Sequence, residues 1–260
     1  MTIKKIALLA ALMTPMAFAS TSIRDQIPES VYKVLQEHYP IEQIEATTKI
    51  HLEDKFTINS DFYLLSVGDS VIAVGDTGEY ILGGDIVNLK DKTNYVQEAK
   101  DNARKRILTT MTEDKYIAYP SSLEETKDVV YIYSDVTCGY CAKLHSEYKA
   151  INDAGYEIRV VPFLRSMGVQ GYETTADYLN SVAMMSEPDM VKRRQLHDDL
   201  IARKAVSHQA NNQLGTEAIN DGIATGIAVG LQGTPHIVLT NGVALSGYMP
   251  SQELLKILAK

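Results

Sequence analysis

The chain has 260 residues, 45% of them hydrophobic and 22% charged, which is enough for two modest domains with cores of their own and too apolar for a largely disordered chain. Its formal net charge of −8 disfavours nucleic acid as a partner. Two cysteines are too few to staple a fold of this length, so the pair is expected to do chemistry.

The first 19 residues read as an export signal. Lys4 and Lys5 form a positive start, Ile6 to Met13 a short apolar run, and Ala17-Phe18-Ala19 a small-x-small cleavage site, so the mature chain is expected to begin at Ser20. The run is too short to span a bilayer and is followed by Pro15, which argues against a membrane anchor. Loss of the two lysines takes the charge from −8 to −10.

Residues 20–90 are expected to form one small domain. Pro28 suits a first helical position, and Val31, Val34, Leu35 and His38 recur at helical spacing until Tyr39-Pro40 stops the pattern. From about Ile41 the texture changes to short β-prone runs, Phe62 to Val67, Ser70 to Val74 and Glu79 to Leu82, divided by Gly68-Asp69 and Asp76-Thr77-Gly78. An antiparallel meander with a helix on it follows, and its open edge invites pairing with a second copy. Residues 91–115 are strongly polar around a thin apolar line of Val96, Ala99, Ala103 and Ile107, which predicts a solvated connecting helix.

Tyr119-Pro120-Ser121-Ser122 marks the entrance to a second domain, residues 116–260. Val129 to Tyr133 has the continuous apolar character of a buried strand, and Asp135-Val136-Thr137-Cys138-Gly139-Tyr140-Cys141 opens a helix expected to run to about Ala154, with Gly155 at its C-terminus and a second buried strand from Ile158 to Phe163. A helical region from about Thr174 to Val229 follows, with Tyr178, Val182 and Met185 on one face and Ile219, Ile223 and Ile227 on another. Met184, Met185 and Met190 read as core filler, and Lys192-Arg193-Arg194 as a solvated basic face. Gly233-Thr234-Pro235 leads into strand His236 to Leu239, Asn241-Gly242 turns it into Val243 to Leu245, and Ser251 to Leu258 closes with a helix.

A strand that delivers Cys-x-x-Cys to a helix N-terminus places the first thiol among unpaired backbone N–H groups, which favour the thiolate. Cys138 is therefore the expected nucleophile, and Cys141, one turn on, the residue that resolves a mixed disulfide. Gly139 and Tyr140 between them add no positive charge, so the depression of the Cys138 pKa is expected to be less extreme than in the strongest oxidants.

The order of pieces resembles the thioredoxin fold. The segment Asp135 to Cys141 with Lys143-Leu144-His145, the Gly233-Thr234-Pro235 loop and the stretch Asn241-Gly242 to Gly247-Tyr248 are similar to the exported disulfide isomerases of the DsbC type, over essentially the whole mature chain. That resemblance implies an α+β protein with a small cystatin-like N-terminal dimerisation domain, a connecting helix, and a C-terminal thioredoxin-fold domain with a helical insertion. It further implies a V-shaped homodimer, a cis Thr234–Pro235 bond beside the cysteines, periplasmic location, misoxidised exported proteins as substrates, and a membrane reductase of the DsbD type that keeps the dithiol reduced. No cofactor beyond the Cys138–Cys141 pair and no metal is expected. Tyr140, Thr234 and Pro235 are the expected substrate rim, with Gly139, His145 and His236 as possible modulators.

Three departures stand out. Family members commonly carry a second disulfide in the helical region, and this chain has none there; the acidic residue that thioredoxins keep six positions before the first cysteine is Ile132; and His236 follows the proline. Rival readings are a dithiol oxidase or dedicated reductase of the same fold, a metal-binding protein using Cys138, Cys141 and His145, and a holdase chaperone.

Overall fold

The computed structural model describes residues 22–38, 44–53, 59–67, 70–79, 81–88, 91–204, 206 and 213–259. The expected signal and its cleavage site, the Tyr39-Pro40 stop and the Gly68-Asp69 turn lie outside the described residues.

The chain opens with a single turn, α1 (Ile23–Gln26), whose first N–H groups are partly met by the Ser22 hydroxyl, and α2 (Glu29–His38), which starts directly after Pro28. Four antiparallel strands follow in spatial order: β1 (Ile44–Glu53), β2 (Asn59–Val67), β3 (Ser70–Gly75) and β4 (Ile81–Leu82). Alternation along β2 gives the sheet two apolar faces. Leu65 with Val74 packs on Val31 and Leu35 of α2, while Phe62 and Leu64 pack on Val96 and Ala99 of the next helix, α3 (Tyr95–Thr109). Asn94 caps α3 by accepting from Gln97 N at 3.1 Å.

The solvated connector expected from composition is thus docked at both ends. Its first half covers the small sheet, and at its far end Leu108 joins the core of the second domain. Arg104 Nε donates to the Val229 carbonyl at 2.9 Å, and Gly242, at φ +89°, lies so close that a Cβ there would sit 1.8 Å from the Asp101 carbonyl oxygen.

The second domain is a five-stranded sheet. Its strands are β5 (Ile117–Tyr119), β6 (Asp128–Ser134), β7 (Tyr156–Pro162), β8 (His236–Leu239) and β9 (Ala244–Ser246), in the order β5-β7-β6-β8-β9. Only β6 and β7 among these pair in parallel, as a β-α-β unit requires. The segment read as a domain entrance is therefore partly strand, because Tyr119 pairs with Ile158 before Pro120 ends the run. Val130 and Ile132 of β6 face the larger core with Leu144, Ile151 and Leu254, and Tyr131 and Tyr133 face Leu108 and Phe163 on the other side. Each such burial contributes roughly 1.5–3 kcal/mol.

The helix expected from the motif to Ala154 is two helices, α4 (Gly139–His145) and α5 (Tyr148–Asp153). The break leaves Glu147 free to accept from Ser251 N at 2.6 Å, which satisfies an N–H at the start of the last helix, α9 (Ser251–Leu258). The helical insertion comprises α6 (Ala176–Met185), α7 (Met190–Ile201) and α8 (Gln213–Ala228). Helices α6 and α8 approach closely: a Cβ on Gly215 of α8 would lie 2.3 Å from the Val182 carbonyl oxygen of α6. Met184 and Met185 are buried as expected, whereas Ile227 is exposed.

Of the basic run, Lys192 is solvated as expected and the two arginines are not. Arg193 is 5% exposed and donates to the carbonyls of Glu187, Glu113 and Tyr116, and Arg194 Nε donates to the Ala118 carbonyl at 2.7 Å. The two side chains tie α7 to the strand that opens the domain, and charged donors are what make such buried carbonyls affordable.

Candidate active site

Strand β6 ends at Ser134, and the chain turns into α4 through a polar knot. The buried Asp135 carboxylate accepts from Thr137 N and Oγ1, both at 2.6 Å, and its other oxygen accepts from Arg165 N and Nε at 3.0 Å. That fixes Thr137, and Arg203, just after α7, also donates to the Thr137 carbonyl. Cys138 follows as the N-cap of α4 at φ −85°, ψ 122°, its own carbonyl accepting from Ala142 N at 3.0 Å.

The two sulfurs are not bonded to each other, and both residues are buried: Cys138 is 4% exposed and Cys141 1%. Ile201 of α7 packs against the pair. Cys138 Sγ donates to the Thr234 carbonyl at 3.3 Å, and Thr234–Pro235 is cis. Burial pushes the Cys138 thiol up, but contact with the Thr234 side chain and the N–H groups of Cys141 and Tyr140 outweighs it, so the pKa is lowered. Cys141 goes the other way. Burial dominates and raises it to about 11, the charge of Cys138 adds to the rise, and the Ser134 hydroxyl opposes it. The position expected to lack a carboxylate does so: Ile132 is fully buried in the apolar core. The polar group next to Cys141 is the Ser134 hydroxyl, buried and without another partner.

Of the residues expected at the rim, Tyr140 is 64% exposed on the first turn of α4, the Thr234 carbonyl accepts from Cys138 Sγ, and Pro235 follows in the cis bond. The two histidines are held by other partners. His236 is buried, lies 3.4 Å from Ser246 Oγ and titrates at about 4 because burial and then the Arg104 charge disfavour its protonation; it makes no hydrogen bond to either sulfur. His145 Nε2 is bound to Asp198 Oδ1 at 2.8 Å, inside a cluster with Tyr119 and His197. His145, His197 and Asp198 bring ligand-type atoms within 4.8 Å of one another. The Tyr119 hydroxyl, however, sits among them, 2.6 Å from both Asp198 Oδ1 and His197 Nδ1 and 3.4 Å from His145 Nε2, and fills the space an ion would need. The cluster reads as a clamp between α4 and α7.

Asp135, Arg165, Arg203 and Ser134 were not singled out from sequence. The Asp-x-Thr spacing carries a local signal, an aspartate accepting from the N–H two residues on. The arginines, 28 and 66 residues beyond Thr137, carry none.

The profile of the thioredoxin-like domain family matches residues 121–260. Thiol:disulfide interchange protein DsbC of Salmonella typhimurium is 30% identical over 190 residues, 71% of this chain and 70% of that protein. The protein of the same name from Escherichia coli is 29% identical over 188 residues, 72% of each. A linker-deletion mutant of ScsC from Proteus mirabilis superposes with a TM-score of 0.50 over 63% of this chain and 84% of its own at 16% identity, which marks a shared fold. With Cys-x-x-Cys at the head of the first helix of a thioredoxin-like domain, this chain belongs to the DsbC-type thiol:disulfide interchange proteins and is a thiol:disulfide isomerase and oxidoreductase.

Proposed function

We propose that Cys138 is the attacking sulfur and Cys141 the resolving one, and that the chain rearranges incorrect disulfides in exported proteins. The observation that carries this is the placement of Cys138 as the N-cap of α4 with its Sγ on the Thr234 carbonyl, while Cys141 lies one turn inside and 1% exposed; the two thiols are displaced in opposite directions, Cys138 downward and Cys141 upward. The Cys138 thiolate attacks one sulfur of a substrate disulfide, forms a mixed disulfide and releases the other sulfur as a thiolate. If a substrate thiolate then attacks the substrate sulfur of that bond, a new substrate disulfide forms and Cys138 leaves reduced. If Cys141 attacks the Cys138 sulfur instead, the substrate leaves reduced and Cys138–Cys141 leaves oxidised, so a reductase must return two electrons. Burial of Cys141 slows the second exit and leaves time for the first. The Cys138 charge that helps to hold Cys141 protonated disappears once the mixed disulfide forms.

The family assignment supports a periplasmic location, a DsbD-type membrane reductase as electron donor, and no cofactor beyond the dithiol. The small four-stranded sheet supports a cystatin-like dimerisation domain over residues 20–90, with residues 91–115 as connector and 116–260 as the catalytic domain. Among the described residues its outer strands β1 and β4 each pair on one side only, which supports an edge open to a second copy. Reactivation of a substrate trapped with scrambled disulfides, in glutathione buffer, tests the chemistry. Cys138→Ala is expected to fall to the rate of the buffer, and Cys141→Ala to keep part of the activity while trapping substrate in mixed disulfides. Full activity in Cys138→Ala contradicts the proposal.

A further inference from the structure

Tyr140 is the second residue of α4, and its ring is left 64% exposed on the turn that carries Cys138 and Cys141. It is not loose. Its ring lies along that of Tyr248, with centroids 6.2 Å apart and planes 26° from parallel. Tyr248, in the loop after β9, is held from several sides. Gly247 N donates to the Pro235 carbonyl at 3.0 Å, which ties this loop to the proline loop. The Tyr248 hydroxyl donates to Glu147, whose other oxygen accepts from Ser251 N, and Lys143 Nζ stands 4.3 Å from the Tyr248 ring centroid. These contacts leave the sulfurs alone. What they do is fix one ring as the backing for another whose outer side is open, a rigid apolar surface that a ligand can cover at little entropic cost.

We propose that the Tyr140–Tyr248 pair is a docking platform for an aromatic or large aliphatic side chain next to the substrate cysteine, so that the enzyme selects disulfides flanked by apolar residues. This rests on Cys138 as the attacking sulfur. A polypeptide joined to Cys138 carries its neighbouring side chains about 3.8 Å per residue from the bond, within reach of a ring two residues along the helix. The chemistry gives such a platform a use. In a correctly folded protein the apolar residues beside a disulfide are buried in its core, whereas in a mispaired, partly unfolded chain they are exposed, so the platform distinguishes bonds to be rearranged from bonds to be left.

The test is capture by the full chain carrying Cys141→Ala, which stops at the mixed disulfide. Symmetrical disulfide dimers of Gly-Phe-Cys-Phe-Gly and of Gly-Ser-Cys-Ser-Gly are the probes; attack on either equivalent sulfur bonds one peptide to Cys138 and releases the other as its thiolate. The rate ratio of the Phe to the Ser dimer, divided by the same ratio for dithiothreitol, cancels intrinsic reactivity. We expect a selectivity of about fivefold, the scale of one aromatic contact, falling to near one in Tyr140→Ser, falling partly in Tyr248→Ala and largely kept in Tyr248→Phe. Tyr140 is exposed, so its replacement does not threaten the fold. Unchanged selectivity in Tyr140→Ser and Tyr248→Ala overturns the platform alone. Failure to capture either peptide overturns the assignment of Cys138 and the platform with it.

Discussion

The two ends of α4, a helix of seven residues, are built on opposite principles. At its C-terminal end His145, Asp198, Tyr119 and His197 are locked together at 2.6–2.8 Å, between α4, β5 and α7. At its N-terminal end two thiols that are not bonded to each other lie beside the buried hydroxyls of Thr234 and Ser134, which favour their charged forms. Buried polar groups placed to stabilise a charge are what a thiolate that must come and go requires. Helix α7 serves both ends: His197 and Asp198 clamp the far one, Ile201 packs on the sulfurs, and Arg203, just beyond, holds the Thr137 carbonyl. One end is held so that the other can react.

The sharpest way to break that contrast is Cys138→Ala, which is expected to abolish disulfide rearrangement while leaving the urea midpoint nearly in place. A residue of the clamp should do the reverse. Asp198→Ala leaves His145 and Tyr119 without their acceptor and is expected to cost about 1–3 kcal/mol in urea unfolding, an effect on stability larger than that on thiol reactivity.

Acid should strike the clamp next. Burial, reinforced by the nearby His145 charge, lowers His197 to about 3, so between an unfolded value of about 6.5 and that folded value the unfolded chain binds the extra proton. Stability therefore falls as pH drops through this window, by up to about 1.4 kcal/mol per pH unit. His236, at about 4, adds a second slope of the same sign. Denaturation followed from pH 7 to 4 checks this, and His197→Phe is expected to flatten the curve. The smallest effect belongs to Arg165→Gln. Burial works against the Arg165 charge, but Asp135 and the two cysteines favour it, and by reciprocity it favours the thiolate. The alkylation midpoint of Cys138 should rise, and no change would separate the arginine from the site.

Much of this was legible. Periodicity and turn residues place β8, the Asn241-Gly242 hairpin and α9, whose bounds Ser251–Leu258 match the expectation. The strand-to-helix delivery of Cys138 follows from an apolar run meeting a motif. What was missed depends on distant segments. Strand β5 has only three residues and owes its state to pairing with β7, and Arg193 looks like any surface cation until the carbonyls of Glu113, Tyr116 and Glu187 converge on it. His145 sits one turn from Cys141, which favours a role at the sulfurs, but the partner that fixes it lies 53 residues away.

The asymmetry of the two thiols is tested most directly by iodoacetamide labelling of the reduced, folded chain from pH 5 to 10, with the labelled residue identified by mass spectrometry. The account predicts label on Cys138 alone, with a midpoint below the ordinary thiol range, and no label on Cys141 in this interval. Equal labelling of both cysteines, or of Cys141 first, would contradict it.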